Sequence, residues 1–287
     1  MALRPGSKTR ARVKVIADAQ ARGRGDYLAT EEPLEIRLVA GNATERLAVT
    51  MRTPGNDFEL AAGFLHGEGI LTGREPLRGI SYCTDPELDA EQRYNVVNVR
   101  LDGAAMPDLR GLERHFYTSS ACGVCGKASL DAVELRGCPL PSPGPRVDAE
   151  VIYALPDKLR EAQGLFESTG GLHAAGLFTP DGELECLRED VGRHNAVDKL
   201  VGWALLEDRL PLADRILLVS GRASFEIMQK ALAAGVGMVC AVSAPSSLAV
   251  DVAERFGMTL VGFLRGRRFN LYTGHDRVLL PEPAERS

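Results

Sequence analysis

Apolar residues fall on two different periods along this chain, and the change of period marks its organisation. Leu34, Ile36 and Leu38 alternate with Glu35 and Arg37, and Leu47, Val49 and Met51 repeat the pattern. A period of two predicts strands over Leu34–Val39 and Leu47–Met51, joined at the turn Gly41-Asn42. Asn56 or Asp57 can then cap a helix, with Phe58, Leu60, Ala61, Phe64 and Leu65 forming its apolar face to about His66. Two further strands follow, Ile80–Cys83 and Tyr94–Leu101. This strand–strand–helix–strand–strand order predicts a small α+β roll over residues 27–112. Residues 1–26 are rich in Arg, Ala and Gly with weak periodicity, and read as a flexible N-terminal arm.

A linker of Gly, Asp and Pro, Asp102–Gly111, precedes the second half, residues 113–287. Here a helical stretch around Lys127–Leu135 leads into a Pro-rich spacer, Cys138–Pro145, and a helix near Ala149–Gln163. Leu172–Phe178 reads as helix-like and Leu184–Leu187 as a strand. Helices over Val191–Glu207, Ser224–Ala234 and Leu248–Phe256 then alternate with the apolar strands Ile216–Val219, Met238–Val242 and Thr259–Phe263. Such alternation predicts a largely parallel sheet covered on both faces. Ligands of these sheets bind beyond the carboxyl ends of the strands. Two of those ends, Ser220–Ser224 and Ser243–Ser247, open helices with Ser and Arg. Either alone is compatible with ordinary N-capping; the two together point to an anionic ligand.

The 287 residues carry 34 basic and 39 acidic side chains, a net charge of −5, which argues against a protein built mainly to coat nucleic acid. With 45% hydrophobic residues the chain can bury a sizeable core. No run approaches a transmembrane span and no apolar segment follows Met1–Lys8, so neither membrane nor export is expected. Six cysteines (83, 122, 125, 138, 186, 240) are few and mostly scattered, which fits a reducing cytoplasm better than a disulfide scaffold.

The exception is Cys122-Gly-Val-Cys125, flanked by glycine and followed by Lys127. A helix N-terminus and an ammonium beside the pair would favour thiolate, the form that attacks disulfides, binds metal or accepts sulfane sulfur. A structural zinc site would need a second close pair of ligands, and none exists. A zinc deaminase needs His-X-Glu upstream of Pro-Cys-X-X-Cys; His173-Ala-Ala175 lacks the Glu, lies after the cysteines, and Ala121 replaces the proline. A thioredoxin-like exchanger would carry the pair on an early βαβ unit, not after a separate domain. A cysteine that carries sulfur as a persulfide is the reading left strongest, with disulfide exchange still open.

Several segments together resemble the FdhD family of sulfur carriers required for formate dehydrogenase activity. They are Met51–Gly69, Cys122–Gly126, Gly170–Ala175, Glu189–Leu200, Ser220–Lys230, Pro245–Val250 and Leu260–Thr273. The resemblance implies a sulfurtransferase that accepts sulfur from a cysteine desulfurase and delivers it to the molybdenum bis(molybdopterin guanine dinucleotide) cofactor. It implies that the formate dehydrogenase catalytic subunit is the recipient, that the chain forms homodimers, and that residues 113–287 adopt a three-layer αβα fold similar to cytidine deaminase without its zinc. On this sequence the persulfide-forming cysteine is Cys122 and its partner thiol Cys125. The family's cofactor-binding segment falls on Phe263, Leu264, Arg265, Gly266, Arg267 and Arg268. Taken on its residues alone, that segment is either an arginine clamp for phosphate or a solvated hairpin before a strand at Phe269–Thr273. The competing function classes are a non-catalytic cofactor-binding chaperone for the dehydrogenase and a Cys-X-X-Cys thiol–disulfide oxidoreductase.

Overall fold

A computed structural model describes residues 5–85, 92–103, 105–107, 109 and 144–281 as a mixed α and β protein. The first element corrects the expected flexible arm: β1 (Lys8–Ala17) and β2 (Gln20–Ala29) pair antiparallel along their full length. Alternation was present, Arg10, Arg12 and Lys14 against Ala11, Val13 and Val15, but the turn carries no glycine. Asp18 and Ala19 take it instead, at φ 48° and 59°, the left-handed pair that a tight hairpin turn requires.

β3 (Glu32–Ala40) and β4 (Ala43–Arg52) form the predicted hairpin around Gly41-Asn42, followed by α1 (Asp57–Gly67), β5 (Leu77–Tyr82) and β6 (Val96–Leu101). The sheet order is β4-β3-β6-β5, with β3 and β6 parallel and the other pairs antiparallel. Leu34, Ile36 and Leu38 of β3 and Val97 and Val99 of β6 bury one face against Leu60, Ala61 and Leu65 of α1. A parallel neighbour requires a crossover connection, and α1 lies within it.

The second sheet has six strands in the order β13-β12-β11-β10-β8-β9. Its strands are β8 (His173–Phe178), β9 (Leu184–Asp190), β10 (Ile216–Val219), β11 (Met238–Ala241), β12 (Thr259–Arg265) and β13 (Arg268–Thr273). Only β10, β11 and β12 run parallel; β8 opposes β10, β9 opposes β8 and β13 opposes β12. The largely parallel sheet expected from sequence is therefore corrected to a mixed one. Leu172–Phe178 is likewise corrected from helix to strand. Its six-residue Ala- and Gly-rich run is too short for periodicity to separate the two.

Helices cover both faces of this sheet. α2 (Ala149–Ala162) packs Ile152, Leu155 and Leu159 against Ile216 and Leu218 of β10. Leu217 and Val219 face the opposite way, toward α4 (Arg193–Leu206), α5 (Phe225–Ala233) and α6 (Ser247–Arg255). The short α3 (Gly164–Thr169) joins α2 to β8. A two-residue parallel pair, β7 (Val147–Asp148) with β14 (Val278–Leu279), sits beside α2.

The two sheets share a helix crossing. On α1, Gly63 lies so close to α4 that a Cβ there would fall 1.8 Å from the Asp198 carbonyl oxygen. The reciprocal position, Gly202, would meet the Glu59 carbonyl at the same distance. Arg188 of β9 adds a bidentate pair to Glu59 (2.5 and 2.8 Å) across the same seam.

Candidate functional site

The carboxyl ends of β10, β11 and β12 are built from the two loops singled out by sequence. Ser220 closes onto β8: its amide donates to Ala174 O at 3.0 Å, and its Oγ accepts from the Ala174 amide at 2.9 Å. The two loops bridge at Ala223 and Pro245, and the Ser246 amide donates to Ala223 O at 2.9 Å. Ser224 starts α5 and Ser246 starts α6, the latter accepting the Ala249 amide on its Oγ at 3.2 Å. Because β9 runs parallel to β10, its carboxyl end and the start of α4 lie on this edge too. Three helix N-termini thus face one side of the sheet, a field favourable to anions.

The predicted cofactor segment lies at the β12–β13 corner of the same edge. It is a hairpin in which Gly266, at φ 51°, makes the turn. Gly262 is required to be small, since a Cβ would meet Pro245 Cδ at 2.8 Å. A bulge follows, and Phe263 is held at φ 52° with its amide donating to Ser243 O at 3.1 Å. Left-handed backbone at a bulky residue is costly and gathers at ligand-binding sites. It turns the Phe263 ring outward, 40% exposed.

The segment's six residues are not equivalent. Leu264 is fully buried in the core beneath the sheet. Arg267 is tied to Glu150 of α2, one Nη at 2.7 Å from the carboxylate, and lies over the Tyr153 ring at 5.1 Å. That hydrogen-bonded guanidinium holds the Glu150 carboxyl below its usual range. Arg265 rests its Nε 3.4 Å from Val242 O. Arg268 is exposed, and among the described residues its side chain pairs with nothing. The hairpin thus offers an outward aromatic ring and two arginines not committed to a carboxylate. Cys122 and Cys125 lie outside the described residues.

The segment Glu189–Leu200 turns out to hold the edge together. Asp190, fully buried, receives Lys199 Nζ at 2.7 Å and the Thr53 amide at 3.1 Å on Oδ2. Its Oδ1 takes the Gly192 amide at 2.8 Å and Asn195 Nδ2 at 3.0 Å. Lys199 also donates to Thr53 O at 2.9 Å, and Asn195 to Met51 O at 2.8 Å, which joins the end of β4 to the start of α4.

Beside this hub stand two residues that sequence reasoning had not placed in a site, His173 and Arg193. The signals for them were the Gly-Arg-His run opening a helix, the His-Ala-Ala run weighed against the deaminase signature, and their places in the matching segments Gly170–Ala175 and Glu189–Leu200. His173 is half-buried; burial first, then the positive charge of Arg193 and His194, push its pKa down, against the pull of Asp190. His194 points to α5, its Nε2 2.9 Å from Glu226 and 3.2 Å from Ser224 Oγ.

The remaining described cysteines are poor sulfur carriers. Burial pushes the Cys186 thiol up to about 11 and the Cys240 thiol up to about 12, so neither presents thiolate near neutrality. Cys83 is buried. Among the described residues no cluster of three or more His, Cys, Asp or Glu is arranged to hold a metal ion. No described helix is long and apolar enough to cross a membrane.

The family model described as FdhD/NarQ matches residues 29–279. This chain belongs to the FdhD/NarQ family. The FdhD/NarQ match encloses Cys122, Cys125 and the whole Phe263–Arg268 hairpin. Sulfur carrier protein FdhD of Streptomyces coelicolor is 56% identical over 274 residues, covering 94% of this chain and 95% of that one. The protein of the same name from Sulfurisphaera tokodaii is 47% identical over 254 residues, 88% of this chain and 92% of its own. A crystal structure of a provisionally assigned formate dehydrogenase accessory protein from Desulfotalea psychrophila superposes with a TM-score of 0.71. It covers 95% of this chain and 99% of that one at 24% identity, which establishes a shared fold.

Proposed function

We propose that this FdhD/NarQ protein is a sulfur carrier acting in the maturation of formate dehydrogenase. The observation that carries the reading is the 56% identity, over 94% of the chain, to a relative named a sulfur carrier. The Cys122-Gly-Val-Cys125 pair lies inside the matched span.

In this reading the Cys122 thiolate attacks the terminal sulfur of a persulfide on a cysteine desulfurase. The S–S bond of that persulfide breaks, the desulfurase thiolate leaves, and Cys122 carries the sulfane sulfur; no net oxidation occurs. Delivery to the molybdenum bis(molybdopterin guanine dinucleotide) substrate follows. Cys125 then attacks Cys122 Sγ, hydrosulfide leaves toward the metal, and the resulting disulfide is returned to two thiols by a cellular dithiol reductant. The outward Phe263 and the arginines 265 and 268 suit an aromatic base and phosphates, and Arg267 holds the hairpin to α2. Buried Leu264 sets the bulge from below.

The finer parts belong to the same proposal: a cytoplasmic homodimer, a cytidine deaminase-type fold for residues 113–287 and a smaller roll at 27–112. The reading is tested in cells whose only copy carries Cys122→Ala. Formate dehydrogenase isolated from them is expected to be inactive with normal protein levels. Full activity would overturn the carrier role and leave a chaperone.

A further inference from the structure

The hairpin of β1 and β2 lies almost wholly ahead of residues 29–279, the span the family model matches, and the site described above does not use it. It is cationic in a chain whose net charge is −5: residues 8–29 hold six arginines and lysines against Asp18 and Asp26. The positive charge is sorted by face. Cross-strand partners share a face, and Lys8, Arg10, Arg12 and Lys14 stand opposite Ala29, Tyr27, Gly25 and Gly23. All four cations are exposed, and among the described residues none is paired with a carboxylate. Asp26 falls on the reverse face, where Arg24 reaches it at 3.5 Å. On the stripe itself Gly23 and Gly25 leave bare backbone, and the Arg10 guanidinium leans to 3.5 Å from where a Gly25 Cβ would stand. Successive charges are about 6.8 Å apart along the strand.

The backbone of the same four residues is open as well. The Thr30 amide donates to Ser7 O at 3.0 Å. In that register the odd-numbered residues of β1 exchange hydrogen bonds with β2, and the even-numbered ones turn N–H and C=O to the outer edge. β2 lies against α3, whereas β1 pairs with β2 alone among the described residues. One edge, about 20 Å long, thus carries a row of cations and a row of unpaired amides and carbonyls. These two rows select the occupant. A second copy of β1 would set like charges opposite each other. A nucleic acid strand could meet the cations but not the amides and carbonyls. Tyr27, the hairpin's one aromatic, already has Lys8 Nζ over its ring at 5.1 Å, so bases find no stacking platform. A peptide strand with a carboxylate at every second residue satisfies both rows.

We infer that the outer edge of β1 receives an extended acidic segment of a partner protein, which adds a strand to the hairpin and sets alternate Asp or Glu residues opposite Lys8, Arg10, Arg12 and Lys14. The surface does not depend on the sulfur-carrier reading.

The test is fluorescence anisotropy of the full chain with a labelled peptide of alternating Glu and Thr, about ten residues long to span the edge. The peptide is expected to bind, and an isomer with its glutamates gathered at one end to bind about tenfold more weakly or worse. The alternating peptide with N-methylated backbone amides keeps every charge, loses the donors that would face β1, and is expected not to bind. Arg12→Ser with Lys14→Ser should lower the affinity about tenfold or more. Arg22→Ser with Arg24→Ser removes the same charge from the reverse face and should leave it within about twofold. The N-methylated peptide keeps the test open if a variant loses the hairpin. Equal affinity for the N-methylated peptide, or equal effects of the two double variants, would overturn the proposal. So would tighter binding of a single-stranded oligonucleotide of the same charge, or no anisotropy change with protein near about 1 mM.

Discussion

Replacing Gly63 by alanine tests how the two sheets are joined. The new methyl would fall 1.8 Å from the Asp198 carbonyl oxygen, 2.7 Å from its carbon and 2.8 Å from the Gly202 nitrogen. All three are backbone atoms of α4, so no side chain can swing aside. Restoring ordinary contact near 3.4 Å requires α1 and α4 to part by about 1.5 Å, enough to forfeit much of the dispersion energy along the crossing. Leu60 and Leu65 on α1, and the Asp198–Lys230 pair at 2.7 Å, would loosen with it. Alanine gains about 1 kcal/mol over glycine in a helix interior, while overpacking against fixed backbone costs at the upper end of 1–3 kcal/mol or beyond. We expect a net loss of about 2–3 kcal/mol, read as a fall in Tm of roughly 5–10 °C by circular dichroism. Gly164→Ala, where the added methyl meets nothing within 4 Å, is the control and should leave Tm unchanged. A Gly63→Ala protein as stable as its parent would refute the close crossing.

Three further outcomes follow from the buried groups. Asp190→Asn leaves Lys199, 2% exposed, with an uncompensated charge, and should cost about 3–5 kcal/mol in urea unfolding; a loss below 1 kcal/mol would contradict the hub. In native protein at pH 8, iodoacetamide should spare Cys186 and Cys240, whose thiols sit near 11 and 12, and modify both once urea is added; peptide mass spectrometry reads this, and rapid native labelling would contradict their burial. The His173 pKa lies below its unfolded value, so the unfolded chain binds the extra proton first and stability falls as pH drops below about 6.5. His173→Gln should flatten that slope in pH-dependent thermal unfolding, and an unchanged slope would contradict the lowered pKa of His173.

The half-buried elements were the legible ones. Leu34, Ile36 and Leu38 announced β3 because one face of that strand is core and the other is polar, and the turn at Gly41-Asn42 carried its own chemistry. The hairpin at residues 8–29 was missed because Asp18 and Ala19 supply the left-handed turn without a glycine. Leu172–Phe178 reads as helix-like because the strand within it, His173–Phe178, is buried at every position after its first, so no alternation of polar residues beats out a period. The hairpin of residues 263–268 was visible as a motif, but only packing distinguishes buried Leu264 from outward Phe263, or bound Arg267 from open Arg268. His173, Arg193 and Gly221 are separated in sequence and meet only through the order of β8, β9 and β10. The Gly63–Gly202 contact is invisible for the same reason: an isolated helical glycine signals nothing until its partner is known.

The carrier account stands or falls on the sulfur that Cys122 is proposed to hold. Peptide mass spectrometry after incubation of the protein with a cysteine desulfurase and cysteine measures it directly. One added sulfur on Cys122, removed by a dithiol reductant and absent when the desulfurase is omitted, is the expected result. An unmodified Cys122 under conditions in which the desulfurase itself carries persulfide would contradict it.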